Sequence, residues 1–529
     1  MKPSVYRKQW IELRRADAPG ADDLSHLSRR IALSFLDHYI QRDFYEPDYI
    51  DLLCEMATSF TEADLNNIAS SALFEIIVER LCDDFEDFRL EAYVRVMSQV
   101  ISYCRKLPAG EKLNRCLNAY EVTSFEKLFE RALKLHTQQF SCDADKPIER
   151  VVLLSRVTIG ADVAITSVII QRLLQIWPDA QIVIIGSAKL KGIFGGNPQI
   201  RLRELNYSRR GGLLERFESW YAVLDILEAE VPPERKDSIL IIDPDSRISQ
   251  LGVLPVSLDS NYLFFNSRAE SLASSHLSMA ETANRWMDSV FGSSGFCYPN
   301  VWLGDSHSLG ARKAAAALRR TGCKQIFAVN FGIGGNPRKR VDCEFENKLL
   351  LQLLNVPRTV IILDKGFGGD ELSRSVSLIE HITSRGYQVM ETGFENIENT
   401  QMARGVVAVE CGIGEMAALI SISDAFIGYD SACQHIAAAL KIPTTTVFAG
   451  TNNMGFIRRW SACGDTRCSI VHVNTLEKPS QADIDDVVLR IIGEVMSTER
   501  PAVRERIVET RRRPARDAAP RRDVLDEVP

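Results

Sequence analysis

VVLLSRVTIGADVAITSVIIQRLLQIWPDAQIVII, residues 151–185, contains a complete unit of chain architecture. Val151 to Leu154 is a short, wholly apolar run. A polar and glycine-containing loop follows, and apolar residues then recur at helical spacing from about Val163 to Trp177. Pro178-Asp179 breaks that helix, and Gln181 to Ile185 forms a second apolar run. Strand, loop, helix and strand in a little over thirty residues is the βαβ unit, whose two strands lie parallel.

Working outward, two further strands are expected at Ser238 to Ile242 and Tyr262 to Phe265. A second series begins near Gln325: Gln325 to Val329, Thr359 to Leu363, Gln388 to Glu391, Val406 to Val409, Ala425 to Gly428 and Thr445 to Phe448. Helical stretches such as Phe345 to Leu354, Glu371 to Thr383 and Met416 to Ile422 alternate with them. Strands apolar almost throughout belong to sheets covered by helices on both faces. The pattern predicts an α/β protein of two doubly wound, Rossmann-like lobes facing a cleft, with ligands at strand C-terminal ends.

Residues 1–145 read differently. Leu24 to Tyr39, Tyr49 to Phe60, Ala63 to Leu81, Phe85 to Cys104 and Ser124 to Leu135 all show three- and four-residue apolar spacing, and nothing alternates with period two. An all-helical N-terminal domain is expected, with Thr61-Glu-Ala-Asp64 as a helix-starting capping box. The expected division is 1–145 helical, 150–322 first lobe, 323–497 second lobe, and 498–529 an Arg- and Pro-rich tail of disordered character.

The bulk composition narrows the function classes. The 529 residues are 45% hydrophobic and 25% charged, with a net charge of −7, which gives no electrostatic case for nucleic acid. No export signal or membrane-spanning run is read, so a cytoplasmic location is expected, with a peripheral place at the inner face of a membrane as the alternative. The twelve cysteines are scattered, without a CxxC pair, and read as reduced thiols. Cys463 and Cys468 have ligand-like spacing, but nothing nearby completes a zinc set, so no metal is expected.

Four loops that follow expected strands carry the chemistry. In Arg156-Val-Thr-Ile-Gly-Ala-Asp162, a carboxylate facing the cleft can take a proton from an attacking hydroxyl, and the same residue type also caps helices. In Tyr429-Asp-Ser-Ala-Cys-Gln-His435, a strand leads through a polar turn into a small-residue helix. Its free backbone N–H groups and dipole suit a phosphate, with Ser431 and His435 as side-chain donors; a capped helix with a buried histidine is the alternative. Asn330-Phe-Gly-Ile-Gly-Gly-Asn-Pro-Arg-Lys-Arg340 joins close backbone approach to positive charge. Lys365-Gly-Phe-Gly-Gly-Asp-Glu371 leads a carboxylate into a helix start, where it can bond ribose hydroxyls or favour the helix dipole. Asp243 and Asp245, in Asp243-Pro-Asp-Ser-Arg247, are further cleft candidates.

Together these residues resemble glycosyltransferase family 9, the heptosyltransferases, over roughly residues 150–475. Asp430-Ser-Ala-Cys-Gln-His435-Ile-Ala-Ala-Ala is similar to the family's Asp-Thr-Gly-x-x-His-Leu-Ala-Ala-Ala element, and Lys441-Ile-Pro-Thr-Thr-Thr-Val-Phe-Ala-Gly-Thr451 continues it. The resemblance implies a GT-B fold and inverting, metal-independent sugar transfer from a nucleoside-diphosphate-sugar such as ADP-heptose. It implies Asp162 as general base and Lys339 on the donor phosphate. Glu371 is placed on the ribose, and Asp430, Ser431, Ala432 and His435 around the donor. No cofactor is implied beyond the nucleotide-sugar co-substrate. The acceptor would be a glycan, a lipid-linked glycan such as lipopolysaccharide, or a protein, and the helical domain would serve oligomerisation or a partner protein. This sequence has Ala161 before its Asp, Ser431 for Thr, Ala432 for Gly, and Val341-Asp342 for a Trp-Pro pair. A sugar-nucleotide epimerase or hydrolase on the same fold and a non-catalytic scaffold are the competing readings.

Overall fold

The computed structural model describes residues 1–15, 20–83, 87–208, 211–258, 261–269, 276–366, 368–475 and 480–497. The expected 498–529 tail and Phe367 of the fourth loop lie outside the described residues.

Among the described residues, twelve strands form two sheets. The first holds β1 (Arg150–Leu154), β2 (Gln181–Gly186), β3 (Ile200–Glu204), β4 (Ile239–Asp243) and β5 (Tyr262–Phe264), in the order β3-β2-β1-β4-β5. The second holds β6 (Gln325–Asn330), β7 (Thr359–Asp364), β8 (Val389–Gly393), β9 (Gly405–Glu410), β10 (Ala425–Tyr429), β11 (Thr444–Phe448) and β12 (Cys468–His472), in the order β12-β11-β10-β6-β7-β9-β8. Every pairing is parallel, with Val151 opposite Ile182 and Leu240, and Phe327 opposite Ala425 and Ile361. These are the two Rossmann-like sheets of a GT-B arrangement. In each, the chain winds outward one way and returns to the other side of its first strand. The crevices therefore open between β1 and β4 and between β6 and β10, at their C-terminal ends.

Strand side chains point to alternate faces, and the two faces of the first sheet have different partners. Val151, Leu153, Ile182, Ile184, Leu240 and Ile242 face the helix of the opening βαβ unit and helix Met279–Phe291. Val152, Leu154, Val183, Ile185, Ile239 and Ile241 share one core with the N-terminal helices, including Tyr93, Met97, Leu128 and Leu135. Among the described residues of the first lobe, helix Glu218–Glu230 shares that core through Trp220, Val223 and Leu227, with Leu213, Phe217, Leu251 and Val253 beside it. The N-terminal helices thus supply the second helical layer of the first sheet, and residues 1–497 form one compact unit.

The opening helix begins earlier than expected, at Ile159, and passes through a π-helical turn at Asp162–Thr166 before Ser167–Ile176. Its stretch Ile159–Ile176 is long and apolar enough to cross a membrane, with a mean hydropathy of 1.4, unlike the sequence reading. Here Val163, Ile165, Val168, Ile169 and Leu173 are buried against the first sheet, which accounts for the apolarity. The expected capping box at Thr61 is absent: helix Ala63–Ser71 starts after Glu62, without a side-chain cap. Helices Pro3–Arg15 and Glu111–Ala119 and strands β3 and β12 come in addition to the expected elements.

The lobes meet through glycine. A Cβ on Gly160 would stand 3.2 Å from Ala432 Cα and from His435 Cδ2, and one on Gly414 would stand 2.7 Å from Gly192 Cα. Around these contacts one apolar core continues from Val163, Ile193 and Phe194 to Met416, Ala417, Cys433 and Ile436.

Candidate functional site

At the β6/β10 crevice, three strands end in polar residues: Asn330, Asp364 and, directly after β10, Asp430. Asn330 Nδ2 donates to Asp364 Oδ2 at 2.6 Å, and Asn330 Oδ1 accepts from Gly332 N at 3.0 Å and Ser431 Oγ at 3.4 Å. The helix Ala432–Ala439 starts at Ser431, whose side chain makes no capping hydrogen bond. Its first-turn N–H groups carry the positive end of the helix dipole and have no side-chain cap.

The structure places Lys339 in this mouth. Its Nζ lies 2.6 Å from Asp430 Oδ2 and donates to the Asp430 carbonyl at 3.2 Å, while Gln434 Nε2 donates to Asp430 Oδ1 at 2.7 Å. The Arg338–Lys339 turn is built by Asn336, whose side chain accepts from Arg338 N. Below it, Glu346 is fully buried, 2.6 Å from Arg374 Nε, and accepts from Tyr429 Oη at 3.0 Å; Tyr429 Oη in turn accepts from Val341 N. Burial raises the Glu346 carboxyl pKa, with the Arg374 and Arg340 guanidinium groups opposing. This pillar fixes the loop that carries Lys339.

Glu371 lies in the first turn of helix Gly369–Ser384, and its Oε1 accepts from Ile333 N at 3.3 Å. Gly366 lies directly against it. A Cβ there would fall 2.7 Å from Glu371 Cβ and Oε2, and its φ of +82° is itself a glycine conformation. Lys339, Glu371, Asp430, Ser431 and Ala432 are therefore gathered around one strand-end crevice.

His435 is not presented there as a donor. It is 3% exposed, its ring meets Trp460 edge-on at 6.2 Å, and burial lowers its pKa to about 4, so it is neutral near pH 7. The buried-histidine alternative describes its setting. The contact with Gly160 makes it part of the junction between lobes.

Asp162 also departs from expectation. Instead of facing the cleft it is fully buried. Its Oδ1 accepts from Arg156 N at 2.9 Å and Thr166 Oγ1 at 2.8 Å, and its Oδ2 from Ser155 Oγ at 2.6 Å. Burial raises its pKa against these hydrogen bonds. The helix starts three residues before it, so the carboxylate folds back and satisfies the loop it leaves. Beside it, Val157 has a φ of +77°, a conformation β-branched residues rarely hold, and Val157 N donates to Ser155 Oγ at 2.9 Å.

Asp243 and Asp245 are buried too. Tyr262 Oη and Ser246 N donate to Asp243, whose pKa is raised to about 6 by burial. Asp245 pairs with Arg156 at 2.8 Å and with Arg268. Arg268 Nε reaches the Cys82 carbonyl in the N-terminal helices, and Arg459 of the second lobe donates to the Ser267 carbonyl. Asp245 thus belongs to an internal network joining all three parts of the chain.

What remains open near this loop is a cavity of about 290 Å³ at the ends of β1, β2 and β3. Its polar lining is Ser155, Ser187, Lys189, Asn206 and Tyr207. Sequence reasoning passed over Ser155 and Asp364; the signal was a polar residue directly after or ending an apolar strand. Among the described residues no group of three or more His, Cys, Asp or Glu side chains could hold a metal ion.

Comparison with known proteins found similarity at two levels. Solved structures similar to this chain include a glycosyltransferase family 9 protein from Veillonella parvula, at 13% identity and a TM-score of 0.46, covering 68% of this chain and 99% of that one. Another is E. coli heptosyltransferase WaaC with ADP, at 14% identity and a TM-score of 0.44, covering 65% and 99%. A third is E. coli ADP-heptose lps heptosyltransferase II, at 12% identity and a TM-score of 0.42, covering 65% and 97%. No curated protein sequence matches. The family model of glycosyltransferase family 9 (heptosyltransferase) matches residues 378–483, a stretch that includes Asp430 to His435 and leaves Asp162, Lys339 and Glu371 outside. The resemblance read from the motifs is borne out in the segment that holds the most specific of them, and the enzyme class it names is glycosyltransferase.

Proposed function

We propose that this chain transfers a sugar from a nucleoside-diphosphate-sugar, with ADP-heptose the first candidate, to a hydroxyl of a glycan, lipid-linked glycan or protein by direct displacement with inversion. The observation that carries this reading is the Lys339 ammonium held 2.6 Å from Asp430 at the mouth of a helix without a side-chain cap. A diphosphate seated there would meet the N–H groups following Ser431, the Ser431 hydroxyl and the Lys339 charge. These are the groups that stabilise negative charge as the diphosphate leaves. Glu371 sits within the same crevice at the start of its helix, suited to the ribose hydroxyls. In this reading the acceptor's proton ends on Asp162. No step requires a divalent cation, because Lys339 and the helix N-terminus supply the positive charge.

The test is calorimetric titration with ADP, UDP and GDP, followed by assay of diphosphate release from the matching nucleotide-sugars. Binding of one diphosphate that weakens in Lys339→Ala, with release from its sugar conjugate, is the expected result. If none of the three diphosphates binds, the reading fails in favour of a scaffold. Binding, with turnover that leaves a free 2-epimerised nucleotide-sugar, favours the epimerase.

A further inference from the structure

Helix Ala432–Ala439 is built mostly of small and apolar residues, yet its first turn completely buries the amide of Gln434. Both N–H groups of that amide are used. Nε2 donates to Asp430 Oδ1 at 2.7 Å and to the Trp460 carbonyl at 3.2 Å. The other end of the amide, Oε1, is buried without a hydrogen-bond partner. Turning the amide over would set Oε1 against a carboxylate and a carbonyl, both acceptors, so its orientation is fixed. A buried, unpaired oxygen costs stability, and an apolar residue of the same shape would avoid that cost. Packing therefore does not account for Gln434. What it does instead is hold Asp430 by the oxygen that Lys339 leaves free.

The Trp460 carbonyl leads across the junction between lobes. Trp460 ends helix Met454–Trp460, and the two residues before it both meet the first lobe. Arg459, 6% exposed, donates to the Ser267 carbonyl at 3.1 Å, and Arg458 Nη1 lies 2.8 Å from His276 Nδ1. Ser267 donates through its N and its Oγ to Asp245, in the first lobe's buried network. Hydrogen bonds thus run from Asp245 through Ser267 to Arg459, and from the adjoining Trp460 carbonyl through Gln434 and Asp430 to Lys339.

We propose that Gln434 is a positioning residue for the donor diphosphate, tying Lys339 through Asp430 to a strut anchored on the first lobe. This rests on the sugar-transfer reading above. Gln434 touches neither sugar nor phosphate. It holds the Asp430 carboxylate in one orientation, so that the ammonium paired with it stays over the first turn of helix Ala432–Ala439. Without that hydrogen bond Asp430 can turn about its side-chain bonds. Lys339 would then keep only the Asp430 carbonyl as a fixed partner.

The experiment measures ADP binding by calorimetry in wild type, Gln434→Met, Arg459→Met and Lys339→Ala, singly and in pairs, with melting curves as a check of folding. Gln434→Met keeps the length of the side chain and removes both donors. It is expected to weaken ADP binding about three- to tenfold, the smaller end of couplings within one hydrogen-bonded network. In the Lys339→Ala background the same change should leave ADP affinity within about twofold, because no ammonium is left to aim. An equal loss in both backgrounds shows that Gln434 acts by packing alone and overturns the proposal. Unchanged or tighter binding in the single variant overturns it as well. Gln434→Leu runs through the same cycle, and whichever of the two apolar variants melts like wild type decides. Arg459→Met should weaken binding as Gln434→Met does, with the pair losing no more than the worse single. Wild-type affinity in Arg459→Met overturns the strut. Wild type that binds no ADP fails on the sugar-transfer reading itself, and the proposal falls with it. Wild type that binds ADP while the Gln434 variants bind it equally well fails on this proposal alone.

Discussion

Lys339 and Asp430 are 91 residues apart in sequence, and their side chains meet at 2.6 Å where β6 and β10 release the chain. Asp430 shares its second oxygen with Gln434, one turn into the following helix, so the ammonium is aimed at the first turn and is not free to sweep. A lysine poised this way should contribute to phosphate binding as a charged hydrogen-bond donor, worth roughly 1.5–3 kcal/mol. Lys339→Ala is accordingly expected to weaken ADP binding by about ten- to a hundredfold at fixed salt. Isothermal calorimetry measures this directly; unchanged affinity would remove Lys339 from the donor site.

The lobe junction makes a sharp distinction between glycines. In Gly414→Ala the new methyl would press on the Gly192 backbone at 2.7–2.8 Å, where no flexible side chain can yield. Overpacking of this kind costs roughly 1–3 kcal/mol. Gly493 lies exposed inside helix Gln481–Met496 with nothing within 4 Å of its ideal Cβ. Gly493→Ala should therefore stabilise by about 0.5–1 kcal/mol through helix propensity. Urea unfolding of the two variants should shift the midpoint in opposite directions.

His435 gives a pH dependence whose sign follows from burial. Its folded pKa is about 4 against an ordinary 6.5, so the folded state favours the neutral ring. The stability this contributes is complete above pH 6.5 and is lost as pH falls toward 4, roughly 3 kcal/mol in all. His136, also lowered to about 4, acts in the same direction. Asp243 opposes both. Its folded pKa of about 6 lies above the ordinary 3.8, so its contribution is present below 3.8 and lost as pH rises through 6. The clean observable is a difference. Between pH 7 and 4.5 the stability gap between wild type and His435→Gln should narrow, and a gap that stays constant with pH would show that the ring does not titrate in this window.

Removing the N-terminal helices should do more than shorten the protein. Val152, Leu154, Val183, Ile185, Ile239 and Ile241 would lose the part of their cover that residues such as Tyr93, Met97, Leu128 and Leu135 supply. A sheet face of that size exposed to water is an aggregation site. A chain starting at residue 138 is expected to be insoluble or to lose its cooperative melting transition. A truncated chain with wild-type melting behaviour and ADP affinity would show the helices to be an appendage.

The sheets were legible because fully buried parallel strands must be apolar along their whole length, which makes runs such as Val151 to Leu154 stand out. β3 and β12 were not. Ile200-Arg-Leu-Arg-Glu204 and Cys468-Ser-Ile-Val-His472 are edge strands, half wetted, and their charged and polar residues mask the period. The crevice that gathers Lys339, Glu371, Asp430 and Ser431 was readable for a related reason: glycines and charges directly after an apolar run mark the strand ends that border it. Asp162 misled because its position in the sequence is that of a cleft residue, whereas its side chain turns inward. That direction depends on the strained Val157 backbone and on Ser155, neither of which a spacing pattern displays. The helical layer misled in the same way. Amphipathic spacing reveals an apolar face but not what covers it, and here the cover is a sheet more than fifty positions downstream in places.

One core runs from Ile193 and Phe194 through the glycine contacts to Met416 and Ile436. A hinge that parted the lobes would have to wet that core. Heat should register the same continuity. Although the chain builds an α/β unit twice, calorimetry should show residues 1–497 absorbing heat as a single peak, because the core on one face of the first sheet continues into the second lobe.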